Sequence, residues 1–185
     1  MNIQHKADVT LSQLVVVDVQ TKLAAVMAEN DMQAVLKNCS ILLQAANMLK
    51  VAAIITEQYP QGLGHTVPEL SAVSPHIHAV EKVSFSCLAE PKFSRQLTRD
   101  HAQVALAGME AHICVLQTAL DLIAIGKQVF VVEDAIISRS PTNKANAIAR
   151  MRSAGCIITN TESLVFEWLG VAQGDAFKAI SKLIR

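Results

Sequence analysis

Asp18, Lys82 and Cys114 are the residues of this sequence whose types, taken together, define a reaction. A thiol is an intrinsically strong nucleophile, a nearby ammonium favours its thiolate form, and a carboxylate is the third reactive group at the same rim. Such a trio suits attack on a carbonyl carbon. Cys114 also opens the apolar-periodic stretch Ile113–Ile125, so it belongs to the first turn of a helix. Unpaired N–H groups and the positive end of the helix dipole there favour a thiolate over a thiol. The same groups can hold an oxyanion, each donor contributing about 3 to 4 kcal/mol to a transition state.

The elements that must bring these residues together follow from the apolar pattern. Leu14–Val19 is a short β-branched run that reads as a buried strand with Asp18 at its carboxyl end. Asp31–Lys50 carries Val35, Cys39, Leu42, Ala46 and Leu49 at helical spacing. Val51–Thr56 is a second strand. Glu57–Pro68 holds Pro60, Gly62, Gly64 and Pro68, and reads as a long loop without regular structure. His76–Val83 alternates as strand three, ending near Lys82, and Pro91 opens a helix to about Arg99. Val104–Ala107 is strand four, Gly108–His112 a short connection, and Gly126 caps the helix that begins at Ile113. Gln128–Glu133 is strand five, Ser140–Pro141 starts a helix that ends at Gly155, and Cys156–Thr159 is strand six. Two short helices complete the chain.

Strands alternating with helices predict an α/β fold, a three-layer α/β/α Rossmann-like sandwich around a six-stranded parallel sheet. Ligands of such sheets bind outside the carboxyl ends of the strands. Asp18, Glu57, Gln58, Lys82, Cys114, Glu133 and Asp134 all fall at that rim. Gln20, Glu57, Gln58, Tyr59, Phe85 and His112 are the candidate substrate contacts, with Met109 and Glu110 flanking the same pocket.

The 185 residues suit one domain spanning 1–185. Hydrophobic residues make up 51% and charged ones 17%, which predicts a packed core and apolar surface left for self-association, hence a homo-oligomer. Sixteen basic residues balance sixteen acidic ones, and no run of like charge forms a footprint for nucleic acid or an anionic membrane. The expected partner is a small-molecule substrate. Met1–Thr10 is polar, and no apolar run approaches a membrane span, so the expected location is cytoplasmic. The four cysteines form no C-x-x-C pair, and Cys39, Cys87 and Cys156 read as small buried hydrophobes. His76 and His78 share a strand face but lack a third metal ligand, so they read as a solvated edge. His65 either touches substrate or faces water, and Gly62 and Gly64 read as a flexible turn.

VVVDVQ (Val15–Gln20), EKVSFSC (Glu81–Cys87), GMEAHICVLQTALDL (Gly108–Leu122) and VFVVEDAIISRS (Val129–Ser140) occur in that order. Together they resemble the isochorismatase-like cysteine hydrolases, which include nicotinamidases and N-carbamoyl amidases. TEQYPQGLGHTVPEL (Thr56–Leu70) is most similar to the subgroup of isochorismatase domain-containing proteins. The resemblance implies that Asp18 takes the proton of Cys114 and later activates water, while Lys82 holds the charges and lowers the thiol pKa. It also implies a cis peptide between Met109 and Glu110 that aims a backbone N–H into an oxyanion hole beside Cys114. Members that hydrolyse isochorismate lack the cysteine, so an amide, ureido or related C–N carbonyl substrate is expected. Vinyl-ether hydrolysis through Asp18, and a non-catalytic binding or redox-sensing role, are the alternatives. Nicotinamidases hold a metal through an Asp and two His after strand two. Thr56, Glu57 and Gln58 stand there in this chain, so no metal of that kind and no cofactor is expected.

Overall fold

Every residue of β1 (Ser12–Val17) is buried, as a strand with neighbours on both edges and helices on both faces requires. The computed structural model describes residues 5–98 and 100–185. In it β1 pairs in parallel with β2 (Ala52–Gln58) on one side and β4 (Gln103–Met109) on the other. β3 (Val80–Lys82) adds to β2, β5 (Gln128–Ile137) to β4, and β6 (Ile157–Thr159) to β5. The order is β3-β2-β1-β4-β5-β6, all parallel, so the chain reverses its direction of travel across the sheet between β1 and β4. That reversal opens a crevice at the carboxyl ends of these two strands.

The period-two alternation of the strands divides the core into two layers. Leu14 and Val16, Ala105 and Ala107, and Phe130 and Val132 pack on one side with α2 (Glu29–Leu49), α8 (Thr161–Leu169) and α9 (Gly174–Ile184). Val15 and Val17, Val104 and Leu106, and Val129 and Val131 face the other way, against α5 (Pro91–Gln96), α6 (Leu116–Ala124) and α7 (Pro141–Ser153). The expected three-layer α/β/α sandwich with six parallel strands is the observed fold.

Several boundaries differ from the pattern-based expectation. Strand three is confined to Val80–Lys82, so His76 and His78 lie in the connection before it and share no strand face. The stretch 57–68 is more ordered than its prolines and glycines suggest. Glu57 and Gln58 still belong to β2, α3 (Pro60–Leu63) takes in Gly62, and Pro68 starts α4 (Pro68–Val73). Proline at the first helical position uses its fixed φ and gives up no needed donor, which explains both starts. Strand five continues past Glu133 to Ile137 through a register shift against β4. The helix opened by Pro91 ends at Gln96, and Arg99 lies outside the described residues. A short α1 (Thr21–Ala24) follows Asp18 after Val19 and Gln20.

Candidate active site

Lys82 closes β3 and Asp18 follows β1, so their side chains meet over the end of β2. The Lys82 Nζ lies 2.6 Å from Asp18 Oδ2, and both side chains are fully buried. Lys82 also donates to Gln58 Oε1 at 2.8 Å and to the carbonyls of Ser84 and Phe85 at 3.2 Å each. Burial opposes the ammonium charge, but Asp18, with Cys87 and Cys114 adding to it, outweighs burial and raises the Lys82 pKa above its ordinary value. Four acceptors surround three N–H hydrogens, so the cation is committed to this cluster. Asp18 has φ 50, a left-handed conformation that aspartate enters more readily than most residues, and its other oxygen accepts from Thr56 Oγ1 at 2.7 Å.

Cys114 is 6% exposed and joins the same cluster from the opposite side of the crevice. It lies in a wide π turn, Ala111–Val115, whose Val115 N–H bonds the Glu110 carbonyl five residues back, and α6 continues from it. Such turns recur at functional sites because they re-aim side chains within a helix. The expected thiolate is not what the site favours at rest. Burial pushes the Cys114 thiol up to about 12, the Asp18 charge and its hydrogen bond add to the shift, and Lys82 opposes it without prevailing. The resting pair is therefore a thiol facing a carboxylate. The Met109–Glu110 peptide is cis. Gly108 just before it has φ +116, and a Cβ there would lie 2.1 Å from the Val17 carbonyl oxygen, so only glycine lets β4 approach β1 at the crevice.

The remaining candidates divide between support and rim. Gln20 is fully buried, donating through Nε2 to the Gln58 and Gly64 carbonyls at 3.0 and 2.5 Å and accepting the Gln58 N–H at 2.7 Å. It clamps the strand end that holds Lys82. Glu57 is also buried and accepts from Thr66 N and Oγ1, each at 2.7 Å, and from His65 Nδ1 at 3.0 Å. His65 itself is 78% exposed. Tyr59 and Phe85 are exposed at the rim, with the Tyr59 ring lying over Gly62. His112, on the same turn as Cys114, shares its Nδ1 between Ser138 Oγ at 3.0 Å and Glu110 Oε2 at 3.3 Å. Glu110 is buried and paired with Arg139 Nε at 2.5 Å. Asp134, expected at the rim, caps α8 through Thr161 N and Oγ1, and Glu133 is exposed.

For Glu57, burial opposes the charge, yet the hydrogen bonds from Thr66 and His65 win and hold the carboxyl below its ordinary 4.5. A depressed folded pKa gives stability that is present above the ordinary value and lost as pH falls through the lower one. Glu57→Gln is expected to cost about 1 to 2 kcal/mol at pH 7 and markedly less in strong acid, where the native carboxyl is also neutral. Urea unfolding of both proteins at neutral and acidic pH measures this.

Two residues of the cluster carried no sequence signal strong enough to single them out. Thr56 ends an apolar run and touches Asp18, and Cys87 Sγ lies 3.8 Å from Thr56 Oγ1. A hydroxyl ending the apolar run of a strand next to an acid-bearing strand is the pattern that marks Thr56. The donors at the end of β2 do not fit a metal, because Thr56, Glu57 and Gln58 are engaged by Asp18, Thr66 and Lys82. Among the described residues, no group of three or more His, Cys, Asp or Glu is placed to hold a metal ion.

The fold and this rim define an α/β protein with a buried acid, ammonium and thiol at the crevice of a parallel sheet. The Isochorismatase domain matches residues 12–163, and the chain belongs to that family. It is 41% identical over 153 residues to isochorismatase domain-containing protein 2 of Danio rerio, covering 81% of this chain and 76% of that one. The secreted isochorismatase effector Isc1 of Phytophthora sojae is 40% identical over 157 residues, covering 82% and 74%. Among solved structures, the MAR1 ribonuclease of Caenorhabditis elegans superposes with a TM-score of 0.89 at 37% identity, covering 97% of this chain and 92% of that one. The chain is thus an isochorismatase-family hydrolase. Among the described residues, no helix is long and apolar enough to cross a membrane.

Proposed function

We propose that the protein hydrolyses a small amide, ureido or related carbonyl compound through a thioester on Cys114. The observation that carries this reading is that one carboxylate, Asp18, pairs with the Lys82 ammonium and shares a hydrogen bond with the Cys114 thiol, all three residues being buried. As Cys114 Sγ attacks the carbonyl carbon, its proton passes to Asp18 and the carbonyl becomes a tetrahedral oxyanion. Backbone N–H groups at Glu110 and Cys114 are the donors for that oxyanion. Collapse expels the amine, which leaves with the proton from Asp18. Water then attacks the thioester, Asp18 takes its proton, and the thiol is regenerated as the carboxylic acid departs.

Because the thiol rests protonated, Asp18 serves as a base within the attack rather than as the partner of a preformed thiolate. Lys82 fixes the charge and orientation of Asp18. The 6% exposure of Cys114 favours a small substrate, and so does a net charge of +0, which offers a polynucleotide of the kind cut by a ribonuclease no general attraction. Val83, Phe85 and Tyr59 are 79%, 55% and 54% exposed beside the site, which supports a homo-oligomer that covers them. Four free buried cysteines support a reducing, cytoplasmic location.

A screen of small amides, ureides and esters, run beside Cys114→Ala, tests the reading. Turnover of a C–N substrate by the native protein and none by the variant is the expected outcome. Equal turnover by both would overturn it.

A further inference from the structure

We propose that Thr56 is a positioning residue for Asp18: its hydroxyl, held between the Asp18 carboxylate and the Cys87 thiol, locks the carboxylate in the orientation that receives the Cys114 proton. The inference rests on Asp18 serving as the base for Cys114. Thr56 is fully buried on β2 and its Oγ1 lies 2.7 Å from Asp18 Oδ1. A carboxylate only accepts, so the single hydroxyl hydrogen of Thr56 points to Asp18. The hydroxyl lone pairs are then left to accept from Cys87 S–H, 3.8 Å away. Cys87 is itself held by its backbone N–H on Thr118 Oγ1 at 3.0 Å, which ties the chain of bonds to α6.

The direction Cys87 to Thr56 to Asp18 is therefore fixed at each step. On the other side Lys82 donates to Asp18 Oδ2 at 2.6 Å. With both oxygens engaged, the carboxylate cannot rotate, and its remaining lone pairs are held in place for the Cys114 proton. The Asp18 backbone N–H also bonds the Thr56 carbonyl at 3.1 Å, so the two residues are joined by main chain and side chain alike. The groups that face Asp18 are Thr56 from β2, Lys82 from β3, Cys87 from the turn before α5, and Cys114 from the π turn. A hydrogen bond donated to a carboxylate favours its charged form, so removing Thr56 Oγ1 loosens the hold on that form and on its orientation. A threonine that merely filled the strand would leave the titration of the pair unmoved.

The test reads Cys114 alkylation by iodoacetamide across pH, with peptide mass spectrometry separating it from Cys39, Cys87 and Cys156. When a proton moves only within the thiol–carboxylate pair, the rate is level with pH and falls on the acid side as the pair takes up a further proton from solvent. Thr56→Val is expected to move that acid-side midpoint up by about one pH unit, and Thr56→Ser to restore it. If Thr56→Val does not fold, Thr56→Ala carries the same expectation. A hydroxyl-less variant that folds and keeps the native midpoint overturns the role of Thr56. Loss of the level region in the native protein itself would instead overturn the Asp18–Cys114 pairing on which the inference stands.

Discussion

Cys114→Ser is expected to keep the native fold and lose turnover of an amide substrate by roughly 10⁴-fold or more, the scale seen when a covalent nucleophile is removed. Serine is close in size to cysteine, and the site already holds a neutral group, so the packing against Val115 and Leu116 is preserved. What disappears is a nucleophile that Asp18 can deprotonate, because a hydroxyl is far less acidic than even this raised thiol. Asp18→Asn is expected to cause a comparable loss, and the double variant no more than either alone, since the two act in one step. Vinyl-ether chemistry would give a different pattern, with Asp18→Asn inactive and Cys114→Ser active. Steady-state rates for the three variants, with circular dichroism to confirm folding, make the comparison.

Lys82→Met is expected to reduce stability by about 3 to 5 kcal/mol at neutral pH, because it leaves the Asp18 carboxylate buried without its counter-charge. Asp18 and Lys82 are both fully enclosed, so water cannot replace the lost partner. Asp18→Asn/Lys82→Met, which removes the charge as well, should recover most of that loss. The pair also sets a pH dependence. The Lys82 pKa is raised on folding, so its contribution is fully present below the ordinary value of 10.5 and is lost as pH rises through the higher folded one. The native protein should therefore weaken in alkali in a way that the double variant does not. Denaturant midpoints for the three proteins at neutral and alkaline pH measure both effects.

The fold was legible in the sequence where each strand is a buried apolar run and each helix has the matching period. β1, β2 and β4 are of that kind, and so is α2, whose apolar face runs through Val35, Cys39 and Leu42. The placement of Asp18 just after β1 and of Cys114 in the turn after β4 followed from those runs. The sequence pattern overextends β3, because His76–Ala79 alternates in polarity without a neighbour to pair with. The loop after β2 misled for the opposite reason. Glu57 falls at the rim as a candidate substrate contact, and in the structure its buried carboxylate takes three hydrogen bonds from Thr66 and His65 that tie the segment down. No local pattern reveals partners eight or nine residues away.

The protonation state of Cys114 was equally out of reach. A helix start favours a thiolate, but the balance is set by burial and by the proximity of Asp18, which are tertiary facts. The π turn belongs to the same class, since Ala111–Val115 has ordinary helical composition and its wide hydrogen bond from Val115 to Glu110 is visible only in three dimensions. Cys87 reads as a small buried hydrophobe and Thr56 as the end of a strand, because a cysteine and a threonine in apolar company are usually core residues.

A covalent bond between substrate and Cys114 is observed directly by acid quenching during turnover followed by mass spectrometry of the Cys114 peptide. The predicted result is a mass increase equal to the acyl part of the substrate on that peptide, discharged by hydroxylamine and absent from Cys114→Ala. Full turnover with no such adduct, retained in Cys114→Ala, would contradict it.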